Sequence, residues 1–482
     1  MEQVLLSGSI AEIGDLIATR KLSVRDVVAW YLDRIDRFNR SGPALNAVRV
    51  IASDALQVAE ALDAELASGR RRGPLHGIPV LLKDNILTGC GMSAAGGAAV
   101  FADFIPARDA TLVARFRQAG AVILGKANLT EFADYVSDVM PSGFSGAGGM
   151  VKNPHGGQDY GRGLGSSVGP AAAVAASLCA FAIGSETQNS IQTPSSVSSV
   201  FGFKPTVGLV SRAGMFPLVP SQDSPGPIAR SIEDIALVMH AIAGADPRDT
   251  ASMSSAFLSF GSKSVQARAI SRVRLGIPRR LFATKATELA VELEQFESAI
   301  AELTRAGAFI VDPCDVPSAE QILEVRSSVF PTEFKDALNA FLLENGAPSG
   351  IASITDLVRW NEAHPQAIPY GQSLLIAASE TEGLGSAQYR DDRRRDVALS
   401  RQAGIDAAME FSGIDALIAP MGTAAKLTGK AGAPVLAIPI GLGPNGSPVG
   451  VTIFSSVGTD HDLLETGMAI AKVIGRSVLP KL

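Results

Sequence analysis

Histidine is scarce in this chain. Only five occur in 482 residues, His76, His155, His240, His364 and His461, and none stands in a motif with a serine and an acid. Any serine nucleophile here needs a different base. The three cysteines, Cys90, Cys179 and Cys314, are odd in number and far apart, which excludes a disulfide framework and the paired spacing of a zinc site. There is no basic excess: 42 Lys and Arg stand against 48 Asp and Glu, a net charge of −6. That balance argues against a nucleic-acid-binding surface and serves solubility. No window reaches the roughly 18 apolar residues of a membrane span. The opening stretch, MEQVLLSGSIAEIG, carries acidic residues and no long apolar core. It does not read as a signal peptide, and a cytoplasmic location is the default expectation. No metal site and no cofactor are expected.

What is present is a large apolar inventory, 46% hydrophobic against 19% charged residues, enough for one big core. Residues 9–20 and 23–40 read as helices opened by Ser9-x-x-Glu12 and Ser23-x-x-Asp26, and 52–69 as a third, ending at Arg70-Arg71-Arg72, a solvated helix end. Ile78 to Lys83 reads as a buried strand ending in a lysine, for which spacing alone favours a side chain reaching solvent. Residues 109–126 read as helix, Gly turn and strand. The Gly-rich stretch from Ser137 to Gly163 is long enough to form the rim of a site, and Ile232 to Ile242 is a helix. With no repeat and no charged linker, the expectation is one α/β domain over 1–482. It has a single large mixed β-sheet flanked by helices, a core segment at 70–240, a cap-like insertion at 250–400 that is helical around an α/β segment (Leu275 to Pro278, then Ala308 to Asp312), and a return to the core at 410–475.

The stretch 163–194, GLGSSVGPAAAVAASLCAFAIGSETQNSIQTP, carries the chemistry. A small apolar run, a buried helix or a helix running into a strand, separates a turn with Ser166 and Ser167 from a second turn, Gly184 to Ser190. Ser166 and Ser190, 24 positions apart, are expected at the two ends of one rigid element. Gly165-Ser166-Ser167-Val168-Gly169 also fits the G-x-S-x-G nucleophile elbow, and Gly161-x-Gly163-x-Gly165 a phosphate cradle. Both need a strand just before them, and Asp159 to Gly163 reads as loop.

These residues resemble the amidase signature family. The serine-rich turn, the Gly184-Ser185-Glu186-Thr187 turn with Ser190, and Gly77-Ile78-Pro79-Val80-Leu81-Leu82-Lys83-Asp84-Asn85 match its motifs in order. Phe201 to Arg212 and Ser221 to Pro227 match two further blocks. Glu333-Phe334-Lys335, Trp360-Asn361 and Pro369 to Gln372 are similar to a subgroup containing bacterial peptide amidases and aryl acylamidases. The resemblance implies an amide hydrolase with Ser190 as nucleophile, Ser166 as a cis-peptide serine relaying its proton, and Lys83 as the base. Backbone N–H groups of Thr187, Gln188, Asn189 and Ser190 then form the oxyanion hole, and Asp223 and Arg230 bond around the site. Burial is what makes a lysine neutral enough to act as base. Asp84, next along the strand end, is expected to point away.

The chain departs from the family pattern at Leu164, Val168, Pro170, Gln188-Asn189 and Gln192. Asn189 suggests a left-handed, strained turn. Gln192 replaces a frequent Arg and so removes one fixed positive charge. Gly165, Val139, Met140, Phe144, Met150, Gln192, Phe216, Phe330 and Trp360 are expected around the substrate. Such an apolar lining suits a neutral, bulky small molecule, namely secondary or aryl amides and carbamates (urethanes). The alternatives are a non-catalytic binding protein on the same fold and an amidotransferase-type subunit. The sequence leaves oligomeric state open.

Overall fold

The computed structural model describes residues 1–253, 260, 264–285, 287–348 and 350–482. Its strands are β1 Val48–Ile51, β2 Pro79–Lys83, β3 Val122–Ala127, β4 Phe144–Ser145, β5 Gly149–Met150, β6 Phe181–Glu186, β7 Phe201–Lys204, β8 Ser224–Ala229, β9 Arg274–Gly276, β10 Phe309–Val311, β11 Ala416–Pro420, β12 Val435–Leu442 and β13 Pro448–Phe454. Eleven of them form one mixed sheet in the order β1-β3-β2-β6-β8-β7-β12-β13-β11-β9-β10, and β4 and β5 form a separate hairpin. The inner strands β2, β3, β6 and β8 are buried along their whole length, so apolar or small residues fill both faces instead of alternating with polar ones, and the charged Lys83, Lys126 and Glu186 come only at or next to strand ends. Helices cover the sheet, and the expected α/β architecture is the one observed.

Local signals set the N-terminal helices. Ser9 and Ser23 each make a full capping box, with Glu12 and Asp26, opening helices Ile10–Ala18 and Val24–Ile35. The third helix spans Ala55–Ala67, and Arg70 and Arg72 at its end both pair with Glu65. Helix Ile232–Ile242 has the expected bounds. Among the described residues, no helix is long and apolar enough to cross a membrane.

The segment 250–400 is not one cap. Residues 254–259, 261–263, 286 and 349 within it lie outside the described residues. Its first half adds β9 and β10 to the edge of the main sheet and packs on the main core through Phe296, Leu303 and Ile322. The second half, from Val329, builds a second apolar cluster, where Phe334, Leu338, Leu357 and Leu375 meet Phe101, Phe132 and Phe216 of the core segment.

Candidate active site

The apolar run after Ser167 splits into helix Val168–Ala175 and strand β6, joined by a tight turn in which Ser177 has φ +55°. The helix doubles back onto the strand, so the two serine-bearing turns meet instead of lying at opposite ends of one element. The Ser167 N–H donates to the Ser190 carbonyl at 3.0 Å. Gly165 permits this approach. Its φ is +83°, and a Cβ there would lie 2.7 Å from Asn189 O and 2.8 Å from Ser190 Cα. Gly165 thus serves close packing of the turns.

Strand β2 brings Lys83 to the same place. The side chain is fully buried, and Nζ donates to Ser166 Oγ at 2.6 Å, to Ser185 Oγ at 2.9 Å and to the Ser185 carbonyl at 3.1 Å. Burial pushes the ammonium down to about 7, outweighing the opposing carboxylates of Asp223, Glu186 and Asp134. Solvent-reaching geometry for Lys83 is therefore overturned. Asp84 points the other way and pairs with Arg49 at 2.7 Å. Lys126 and Lys204 are also buried at strand ends, but each donates to a backbone carbonyl, of Ile86 and Ala433. Of these three lysines, Lys83 alone meets serine hydroxyls.

Glu186 organises the turn carrying Ser190. Its buried carboxylate accepts from the N–H groups of Ile191 at 2.6 Å and Gln192 at 2.8 Å, capping the short helix Gln192–Val197. Thr187 Oγ1 donates to Asp223 at 2.6 Å, Gln188 Nε2 to Gln222 at 3.3 Å and Asn189 Nδ2 to the Gly163 carbonyl at 2.9 Å. Among the described residues, the backbone N–H groups of Gln188, Asn189 and Ser190 donate to nothing, as oxyanion donors require.

Several expectations change. Asn189 is not left-handed, so its turn carries no such strain. The one cis peptide bond among the described residues is Asp312–Pro313, so the bonds flanking Ser166 are trans. Arg230 lies at the opposite end of β6, donating to the Cys179 and Gly8 carbonyls, and takes no part in the site. Gln192 does not line the substrate space. It is buried, and its Nε2 donates to Glu186 at 2.6 Å and to the Gln188 carbonyl at 2.7 Å, bracing the turn from behind. Met140 and Phe216 are buried in the second cluster, Phe216 tilted against Phe341 at 4.3 Å, so both serve as core. Phe144, Phe330 and Trp360 are half-buried on that cluster, Phe144 edge-on to Tyr370 and Trp360 stacked on His364. Val139 is exposed, and Met150 faces Phe144 across the hairpin.

Three residues emerge only from the structure. Ser185 bridges Lys83 and Asn85, whose Nδ2 donates to the Ser185 hydroxyl at 3.0 Å. The Ser167 hydroxyl donates to the Ser185 carbonyl and accepts from its N–H. Thr130 donates through its N–H to the Ser166 carbonyl and through its hydroxyl to that of Gly165. Ser185 stands inside a recognised motif, which was the available signal. Thr130 has no local mark.

A buried lysine on a serine turn, on this sheet, is the arrangement expected of the amidase signature type, and comparison shows that family. A family model described as Amidase matches residues 26–431, and the chain belongs to that family. It is 33% identical over 473 residues to a protein named probable amidase from Arabidopsis thaliana, covering 96% of this chain and 89% of that one. A glutamyl-tRNA(Gln) amidotransferase subunit from Ralstonia pickettii is 31% identical, covering 96% and 97%. Among solved structures, native peptide amidase from Stenotrophomonas maltophilia superposes with a TM-score of 0.90 at 36% identity, covering 98% of each chain. The protein is an amidase.

Proposed function

We propose that Ser190 is the nucleophile, with Ser166 and Lys83 as its proton relay. The observation that carries this reading is the 2.6 Å bond from a fully buried Lys83 to Ser166, beside a turn tied to Ser190. Neutral Lys83 draws a proton from Ser166 as Ser166 takes one from Ser190. Ser190 Oγ then bonds to the substrate carbonyl carbon, and the free N–H groups of the 188–190 turn hold the oxyanion. Collapse breaks the C–N bond, and the relay returns the proton to the leaving amine. Water then cleaves the ester along the reverse proton path, releasing the carboxylic acid and regenerating Ser190.

The substrates we propose are neutral secondary or aryl amides and aryl carbamates. The aromatic surface of Phe144, Phe330 and Trp360 supports this, as does a nucleophile turn with no Lys or Arg between Gly184 and Pro194. Purified chain alone should hydrolyse an anilide and an aryl carbamate with higher kcat/KM than a dicarboxylic monoamide. A preference for the monoamide rejects the substrate class and leaves the hydrolase intact.

Similarity to the amidotransferase protein over nearly the whole chain supports one rival reading, a component that releases ammonia for a partner. Glutamine hydrolysis that appears only on adding partner chains would establish it, and independent turnover of anilides would reject it.

A further inference from the structure

A cavity of about 570 Å³ lies between the loop 207–221 of the core and the cap helices Val329–Asn345 and Ala387–Val397. Neither Lys83, Ser166 nor Ser190 lines it. Three arginines do: Arg212, Arg393 and Arg401. Arg212 is committed to Asp249, which it grips through Nε and Nη2. Arg401 spends only its Nε, on the Ala431 carbonyl at 2.7 Å. Arg393 makes no hydrogen bond and no ion pair among the described residues, and its Nη1 is buried. A guanidinium with a buried, unbonded N–H is costly unless something else meets it. The proximity of Arg393 adds to burial in disfavouring the charge on Arg401, so the cavity holds two cations that repel.

Of the acids on the wall, Glu333 feels the charge of Arg393, which opposes the effect of burial on its carboxyl, but makes no hydrogen bond or ion pair with it among the described residues. Glu333 already accepts from the Ser221 N–H at 2.8 Å and Tyr389 Oη at 3.0 Å, and burial raises its carboxyl. Asp336 accepts from the Leu384 N–H at 2.9 Å. Both are engaged elsewhere, yet their presence disfavours a multiply charged anion. The remaining wall is apolar, including Val207, Ala337 and Leu384. The volume falls within the range of small-molecule sites and is larger than an inorganic anion needs.

We propose that this cavity binds an organic monocarboxylate, its carboxylate held by the guanidinium groups of Arg393 and Arg401 and its apolar part against Ala337 and Leu384. A planar fork facing a carboxylate is the pairing this geometry offers.

The test is thermal unfolding with sodium benzoate or hexanoate against sodium chloride of equal ionic strength. Saturating benzoate should raise the wild-type midpoint by about 2 °C. Arg393→Gln should abolish that rise and, by removing an unmet cation, unfold at a higher temperature than wild type without ligand. Arg393→Lys, which keeps the charge but loses the fork, should show a smaller rise, and the exposed-site control Arg359→Gln the full one. No rise in wild type, a rise equally large with inorganic phosphate, a full rise retained in Arg393→Gln, or loss in the control would each overturn the proposal.

Discussion

Lys83 donates to Ser166 at 2.6 Å with neither side chain open to solvent. A lysine so placed, pushed down to about 7, is divided between its two protonation states near neutrality. Only the neutral form accepts a proton, so amide hydrolysis should rise with pH through about 7 and level off above it. Lys83→Met should abolish this limb and lower kcat/KM on an anilide by about 10³-fold, with a smaller loss on an activated ester. A pH–rate profile of both substrates checks this, and equal losses would count against the relay.

Ser185 positions the lysine. Its hydroxyl accepts from Lys83 at 2.9 Å, so it stabilises the ammonium. Ser185→Ala should move the acid limb to lower pH while leaving KM nearly constant and reducing kcat about tenfold. A purely structural role would lower the melting temperature without moving the limb.

Gly165 and Gly161 separate two effects of adding a side chain. Both have positive φ, but a Cβ at Gly161 meets nothing within 4 Å, whereas one at Gly165 strikes the Asn189–Ser190 backbone. Gly161→Ala should cost about 1 kcal/mol of backbone strain and retain most activity. Gly165→Ala should cost more and lower kcat at least tenfold, which melting curves and anilide turnover would measure.

The meeting of Lys83 with the two serine-bearing turns was legible because each of the three sits in a run of sequence with its own signature. Lys83 ends an apolar strand, and both serines lie in Gly-rich turns around a small apolar run. Asp84 points away from Lys83, as strand alternation predicts. Local sequence carries no such mark where a side chain's job depends on distant partners. Arg230 is fixed by the N-terminal segment at Gly8, and Gln192 by Glu186 beneath it. The aromatic residues assigned to the mouth were ambiguous because core and lining share one composition. Which of them was buried depended on how the cap helices pack. The strands inside 250–400 were legible, since Leu275 to Pro278 and Ala308 to Asp312 read as an α/β segment where β9 and β10 stand, but two three-residue strands carry no mark of the main sheet edge they join.

Glu131 is buried without a cation beside it, and burial raises its carboxyl to about 8. A carboxyl raised in the folded state adds stability that is present below its ordinary value and lost as pH climbs through about 8. Glu131→Gln should therefore become increasingly stabilising relative to wild type from about pH 5 to about pH 8 and level off above that. Urea midpoints across that range test it. A constant difference would show that the wild-type carboxyl ionises normally.

In the proposed reaction Ser190 forms the covalent intermediate. Treating the purified protein with a serine-directed fluorophosphonate and mapping the adduct by peptide mass spectrometry tests this directly. One label is expected, on Ser190, with complete loss of anilide hydrolysis and no labelling of Ser190→Ala. A label on Ser166, Ser167 or Ser185, or full activity in Ser190→Ala, would contradict it.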